Sequence, residues 1–260
     1  MGVFSRHRKW LLGSAMGAAL LGMWHALAQA GIWNELLFPS PRQVADALGR
    51  GFADRSLLLA TLASVKRLLI GYSLSVSVGV PMGLLLGQVR WLDETLGLVT
   101  MGLQALPSIC WLPLAVLWFG LSEASIQFVI IMGSLMAVIA ATRDGVNVIP
   151  PLFVRAARVL GANGWHLYRH VILPASLPAV LTGAKLGWSF AWRSLMAAEL
   201  LYSSVGLGNT LMVGRELHNM ALVVAAMLII MGLGLLTDRA VFGSLERLLY
   251  VRWGTLRQRA

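Results

Sequence analysis

The 260-residue chain is short of charge, of acid and of cysteine, and each shortage excludes something. Only 12% of its residues are charged against 58% hydrophobic, with a mean hydropathy of +0.75. A soluble domain carries about 25% charged residues to cover its surface, so a water-soluble globule is excluded. Asp and Glu number 11 against 21 Lys and Arg, for a net charge of +10. The basic residues lie mainly at the ends of apolar segments, a pattern that sets membrane topology and does not make a phosphate-binding face. Nucleic acid is therefore not an expected partner. Cys110 is the single cysteine, so no intrachain disulfide forms. It lies in an apolar run, where a small buried residue is expected. The chain also lacks a G-x-x-x-x-G-K-[ST] phosphate loop and shows no nucleophile, metal cluster or carboxylate pair. An enzyme is not expected, and no cofactor or metal should bind directly. His166 and His170 are four apart and share a helix face, but two ligands without a carboxylate or cysteine make a poor metal site.

What remains is a series of long apolar windows, which reads as an all-α polytopic membrane protein of one domain, 1–260. Six spans are expected, at about Trp10–Ala30, Leu68–Gln88, Leu96–Trp118, Ile126–Ala141, Leu177–Tyr202 and Met220–Thr237. RHRKW, the apolar stretch after it and AQA also resemble a secretory signal peptide. The stretch is near the ~20 residues that cross hydrocarbon, so an uncleaved first span is the preferred reading. Because lipid cannot satisfy the backbone, each span should be helical. Pro107 and Pro113 then predict a kink or break in the third.

Lysine and arginine set the orientation. With both termini cytoplasmic, the inner segments hold Arg6, Arg8, Lys9, Arg90, Arg143, Arg155, Arg158, Arg169, Arg239, Arg247, Arg252, Arg257 and Arg259. The outer ones hold Arg42, Arg50, Arg55, Lys66, Arg67 and Arg215, and this imbalance favours cytoplasmic termini. Residues 1–55 then make an N-terminal span and periplasmic segment, 56–245 the core, and 150–174 a cytoplasmic loop.

That loop carries RAARVLGANGWHLYRHVILPASLP, Arg155–Pro178. Arg155–Leu160 suits a helix, Gly161 a left-handed stop, and Asn163 the N-cap of a second short helix over Gly164–His170. Pro174 and Pro178 should set the start of the fifth span. From the residues alone, two readings stand side by side: a rigid protrusion, or an interfacial loop whose arginines hold lipid headgroups.

The loop resembles the cytoplasmic motif of bacterial ABC importer permeases: E-A-A, three residues, Gly, nine residues, I-x-L-P. Here Ala156-Ala157, Gly161 and Val171-Ile172-Leu173-Pro174 keep that spacing, while Arg155 stands in place of the glutamate. FPSPRQVADAL, LPSICWLPLAVLWFG, LPASLPAVLTGAKLGWSFAW, VGLGN and ERLLYVRW are similar to the nitrate/sulfonate/taurine branch of that family. The resemblance implies a type I importer permease fold with a coupling helix. It also implies a second permease copy, two cytoplasmic ATPases that bind ATP and Mg2+, and a solute-binding protein, all at a bacterial inner membrane. Arg155, Ala156, Ala157, Arg158, Gly161, Ala162, Asn163, Leu173 and Pro174 would then form the ATPase-coupling element. The solute implied is a small anion such as a sulfonate, taurine or nitrate. An ion-coupled secondary transporter is the alternative, although such folds usually carry repeats between halves and none is visible.

Candidate path residues are Pro107, Ser108, Trp111, Lys185, Trp188, Trp192, Arg193 and Glu199. Lys185, Arg193 and Glu199 fall inside the fifth span, where an ionisable group costs ~3 kcal/mol and normally faces a cavity or partner. Arg193 is open to two readings: paired with an acid or carbonyl on a neighbouring helix, or lining the path and attracting an anion. Trp188 and Trp192 share a face that packs helices or walls the path.

Overall fold

The computed structural model describes residues 2–32, 34, 36–201 and 204–252, with side chains from residue 12 onward except at 13, 250 and 252. Ten helices and no strand stand among them: α1 Gly2–Gln29, α2 Pro41–Ala53, α3 Ser56–Leu86, α4 Arg90–Gln104, α5 Ser108–Phe119, α6 Glu123–Asn147, α7 Pro151–Val159, α8 Gly164–Leu201, α9 Leu207–Glu216 and α10 Met220–Leu249. Two compact groups form, residues 1–62 with 205–231 and residues 63–204 with 232–260.

In the first group, α2 begins at a capping box. The Gln43 amide N–H donates to Ser40 Oγ (3.4 Å), and the Ser40 N–H donates to Gln43 Oε1 (2.8 Å). Pro41 follows in the first turn, where its missing N–H costs nothing. Val44 and Ala47 of α2 then bury against Ala225 of α10, and Trp24 Nε1 of α1 donates to the Pro39 carbonyl. The expected first span falls within α1, where Leu12, Met16, Leu20, Leu21 and Met23 are exposed. Arg6, Arg8 and Lys9 at its start, Tyr202, and the terminal basic residues Arg252, Arg257 and Arg259 lie outside the described side chains.

The second group is built on α6. Helix α8 runs antiparallel to it through close small-residue contacts, with Gly145 against Ala179 at one end and Gly133 against Ser194 at the other. Helix α3 runs parallel to α6, with Gly71 beside Ile130 and Gly87 beside Val146. Lipid tails are as apolar as leucine, so close van der Waals packing of this kind, not burial from water, drives such association. Leu68, Leu112, Ile126, Val129, Ile130 and Leu195 form the core where α3, α5, α6 and α8 meet. Large apolar side chains such as Leu69, Leu74, Leu98, Leu117 and Leu186 remain exposed, more than a soluble fold leaves in water.

Helices α3, α6, α8 and α10 have the length and apolarity to cross a membrane, and the bent pair α4–α5 has them when its two helices are taken together. Two parallel helices need a return between them, and α4–α5 supplies it. Its Asp93 pairs with Arg143 near the end of α6, and its far end turns at Gly120 into the start of α6. The break predicted at Pro107 is present, with α4 and α5 bent by 100°. Pro113 falls in the first turn of the α-helical part of α5, where it is tolerated. Cys110 is exposed, contrary to expectation, because it lies in the short 3-10 turn that opens α5 beside the bend.

Several boundaries also move. Helix α3 starts at Ser56, twelve residues before the expected second span, and α6 extends the fourth at both ends. The fifth span does not begin at its prolines. Helix α8 is continuous from Gly164, because a π-turn at Tyr168–Ile172 absorbs the missing donor of Pro174: the Leu173 N–H bonds the Tyr168 carbonyl five residues back. Pro178 lies inside the same helix.

Candidate solute path and docking arm

At the bend, residues 105–107 leave helical geometry and open a cavity of about 380 Å3. Gln104, Pro107 and Ser108 line one side, Met132, Gly133 and Met136 of α6 a second, and Phe190 and Arg193 of α8 a third. Arg193 is exposed, with its guanidinium 5.7 Å from the Phe190 ring centroid. It has no acidic or hydrogen-bonded partner among the described residues, and no carboxylate lines the cavity. The pairing reading of Arg193 therefore finds no acid in this chain's described part. The structure brings Pro107, Ser108 and Arg193 together.

The remaining candidates lie elsewhere. Trp111 is half-buried and meets Phe128 edge to face, with ring centroids 6.2 Å apart. Trp188 stands edge to face on Tyr72 at 5.0 Å, and Trp192 packs on the core. All three tryptophans touch the core where α3, α5, α6 and α8 meet. Lys185 is held by Asp238 at 2.8 Å and Glu246 at 3.3 Å, both on α10. Glu199 is fully buried, accepting from Ser64 Oγ at 2.7 and 2.9 Å and pairing with Arg67 at 2.7 Å. Arg67 also forks onto Glu123 at 2.5 and 2.6 Å. Residues 67 and 123 are a charged junction of α3, α6 and α8 that the sequence reading missed. Arg67 looked like a loop charge, although SLLLATLASV before it already carries a helix-compatible apolar run.

Beyond the other end of the bundle, α7 and the start of α8 form an arm. Helix α7 ends in a Schellman motif: the Ala162 N–H reaches the Ala157 carbonyl (2.9 Å) and the Gly161 N–H the Arg158 carbonyl (3.0 Å). Gly161 adopts φ +86°, the left-handed conformation its motif position requires. Asn163 occupies the N-cap position of α8 but makes no side-chain cap bond. Ala157 and Leu167 are buried between the two helices, whereas Arg155, Ala156 and Arg158 are exposed. Val159 and Leu160 are each 87% exposed and Trp165 is 72% exposed. Leu173 and Pro174 are half-buried in α8. Because Gly145 abuts Ala179 near the end of α6, α8 runs fifteen residues further, about 22 Å at 1.5 Å per residue. The His166 and His170 rings lie tilted with centroids 4.2 Å apart on this arm, and no cluster of three His, Cys, Asp or Glu able to hold a metal occurs among the described residues.

Comparison with known proteins agrees with this architecture. Residues 79–247 match the family described as "Binding-protein-dependent transport system inner membrane component". A protein of Methanocaldococcus jannaschii provisionally named an ABC transporter permease is 34% identical over 239 residues, covering 90% of this chain and 89% of its own. An Escherichia coli protein provisionally named an aliphatic sulfonates transport permease is 31% identical, covering 95% and 94%. The taurine transport system permease protein of the same organism is 32% identical, covering 74% and 71%. The bundle of long apolar helices, the exposed arm and these matches make the chain a permease of the ABC transporter type, a member of the binding-protein-dependent inner membrane component family and of its nitrate/sulfonate/taurine branch.

Proposed function

We propose that the chain forms the solute path of an ABC importer for a small anion such as a sulfonate, taurine or nitrate, and couples that path to cytoplasmic ATPases. The observation that carries the reading is the arm. Val159, Leu160 and Trp165 are exposed on a rigid elbow about 22 Å past the end of α6, where they meet water unless a protein covers them. A partner ATPase closing around ATP and Mg2+ would push Arg155, Ala156, Ala157, Arg158, Gly161, Ala162 and Asn163. Because α8 is continuous through Leu173 and Pro174, the push passes directly into the helix that carries Arg193.

Arg193 supports the anionic solute. A guanidinium without an acidic partner, beside Gln104 and Ser108, offers charge-assisted hydrogen bonds to an oxyanion. Met132, Met136 and Phe190 offer apolar contact to an organic group. The names of the sulfonate and taurine relatives agree with this choice. In this reading two copies of the chain pair, both termini lie in the cytoplasm, two ATPases bind the arms, and a binding protein delivers solute to the opposite face. Surrounding lipid covers the exposed apolar belt.

Reconstituting the chain with its ATPase and binding protein in sealed vesicles tests this reading. Anion uptake should require ATP and the ATPase subunit. Uptake driven by an ion gradient without the ATPase would overturn it in favour of secondary transport.

A further inference from the structure

The arm carries a charge pattern that specifies more than a generic docking surface. Between Asp144 and Glu199 the chain contains no acidic residue, while Arg155, Arg158 and Arg169 are all exposed on the arm. None of the three has an acidic partner among the described residues. Lipid headgroups would satisfy such a surface if it lay at the membrane. Its height argues otherwise. The pair Asp93–Arg143, with Asp144 beside it, marks the polar edge of the bundle near Gly145 and Ala179. Helix α7 packs on the turn Tyr168–Ile172, about 10 to 16 Å further along α8. The headgroup zone is about 6 Å deep on each side, so an arm carried that far along an upright α8 reaches beyond it.

We propose that Arg155 and Arg158 dock into a carboxylate-lined groove on the partner ATPase, with Leu160 and Trp165 seated in an apolar pocket beside it. This rests on the reading of the arm as the ATPase-docking element. Helix α7 spaces Arg155 and Arg158 three residues apart, so the two charges lie on one face. Two like charges on one exposed face bind well only where opposite charge meets them, and they reject a basic groove. The pattern thus fixes which ATPase the permease accepts, by complementarity and by repulsion of the wrong partner.

The test uses the full-length permease in phosphatidylcholine nanodiscs and the ATPase that co-purifies with it. Reversing both charges (Arg155→Glu with Arg158→Glu) should weaken ATPase binding by roughly tenfold or more, while Arg155→Lys with Arg158→Lys stays within about threefold. Wild-type affinity should fall as salt rises from about 0.05 to about 0.5 M. Binding unchanged by the double reversal overturns the acidic groove. A loss seen only in phosphatidylglycerol discs also overturns it, and assigns the arginines to headgroups. Trp165→Asp separates the two levels of the claim. If it abolishes ATPase binding while the charge reversal does not, docking stands and the acidic groove falls. If neither variant matters, the docking reading itself fails.

Discussion

Arg67 and Glu199, 132 positions apart in sequence, meet at 2.7 Å where α3 and α8 pack, and Glu199 has no exposed surface. The same guanidinium holds Glu123, whose side chain is 60% exposed. One cation thus ties three helices at the end of the bundle away from the arm, with one buried and one open partner.

The two carboxylates should therefore behave differently. Glu199→Ala leaves the Arg67 charge buried without its inner partner and should cost about 3–5 kcal/mol. Glu123→Ala removes a largely solvated partner and should cost less than about 1 kcal/mol. Thermal unfolding of the purified permease in detergent reads the difference. Equal losses would show that burial does not separate the two pairs.

Gly83 tests the seam between α3 and α6. A methyl group there would come within 2.6 Å of the Ile139 carbonyl and of Thr142 Cβ, and the carbonyl belongs to a helix that cannot retreat easily. Gly83→Ala should destabilise by about 1–3 kcal/mol. Gly102→Ala, where nothing lies within 4 Å, is the matched control and should be neutral or slightly stabilising.

Gly161 tests the elbow. Its φ of +86° is unfavourable for alanine by about 1–2 kcal/mol, and only the arm depends on it. Gly161→Ala should leave permease yield and unfolding temperature near wild type while lowering solute-stimulated ATP hydrolysis. Normal hydrolysis in that variant would show that the elbow angle does not transmit the stroke.

How legible was all this in the sequence? Local chemistry was. Pro107 removes a donor inside an apolar run, so the bend was readable, and Gly161 four residues after Ala157 announced the end of α7. The resemblance of Ala156–Pro174 to the importer motif placed the family, and the matches agree. Register was harder. Pro174 and Pro178 looked like a helix start, but a π-turn absorbed the first and the helix ran through both. Flank charges misled as well. Arg67 was counted as an outer loop residue, although its pairing with Glu199 and Glu123 lets it sit on a helix. A pair separated by 132 positions leaves no local trace, and neither does the choice of Lys185 for Asp238 and Glu246. Arg193 was singled out as costly, while its cavity depends on how the α4–α5 bend, α6 and α8 pack, which periodicity alone does not fix.

Passage of an anion along Arg193 is the proposal on which the transport reading turns. The direct measurement is ATP-driven uptake of a labelled sulfonate by vesicles holding Arg193→Ala or Arg193→Lys, with assembled complex quantified in the same preparation. Uptake should fall roughly tenfold or more with alanine and be partly retained with lysine, at unchanged assembly. Wild-type uptake by Arg193→Ala, or a loss explained wholly by missing complex, would contradict it.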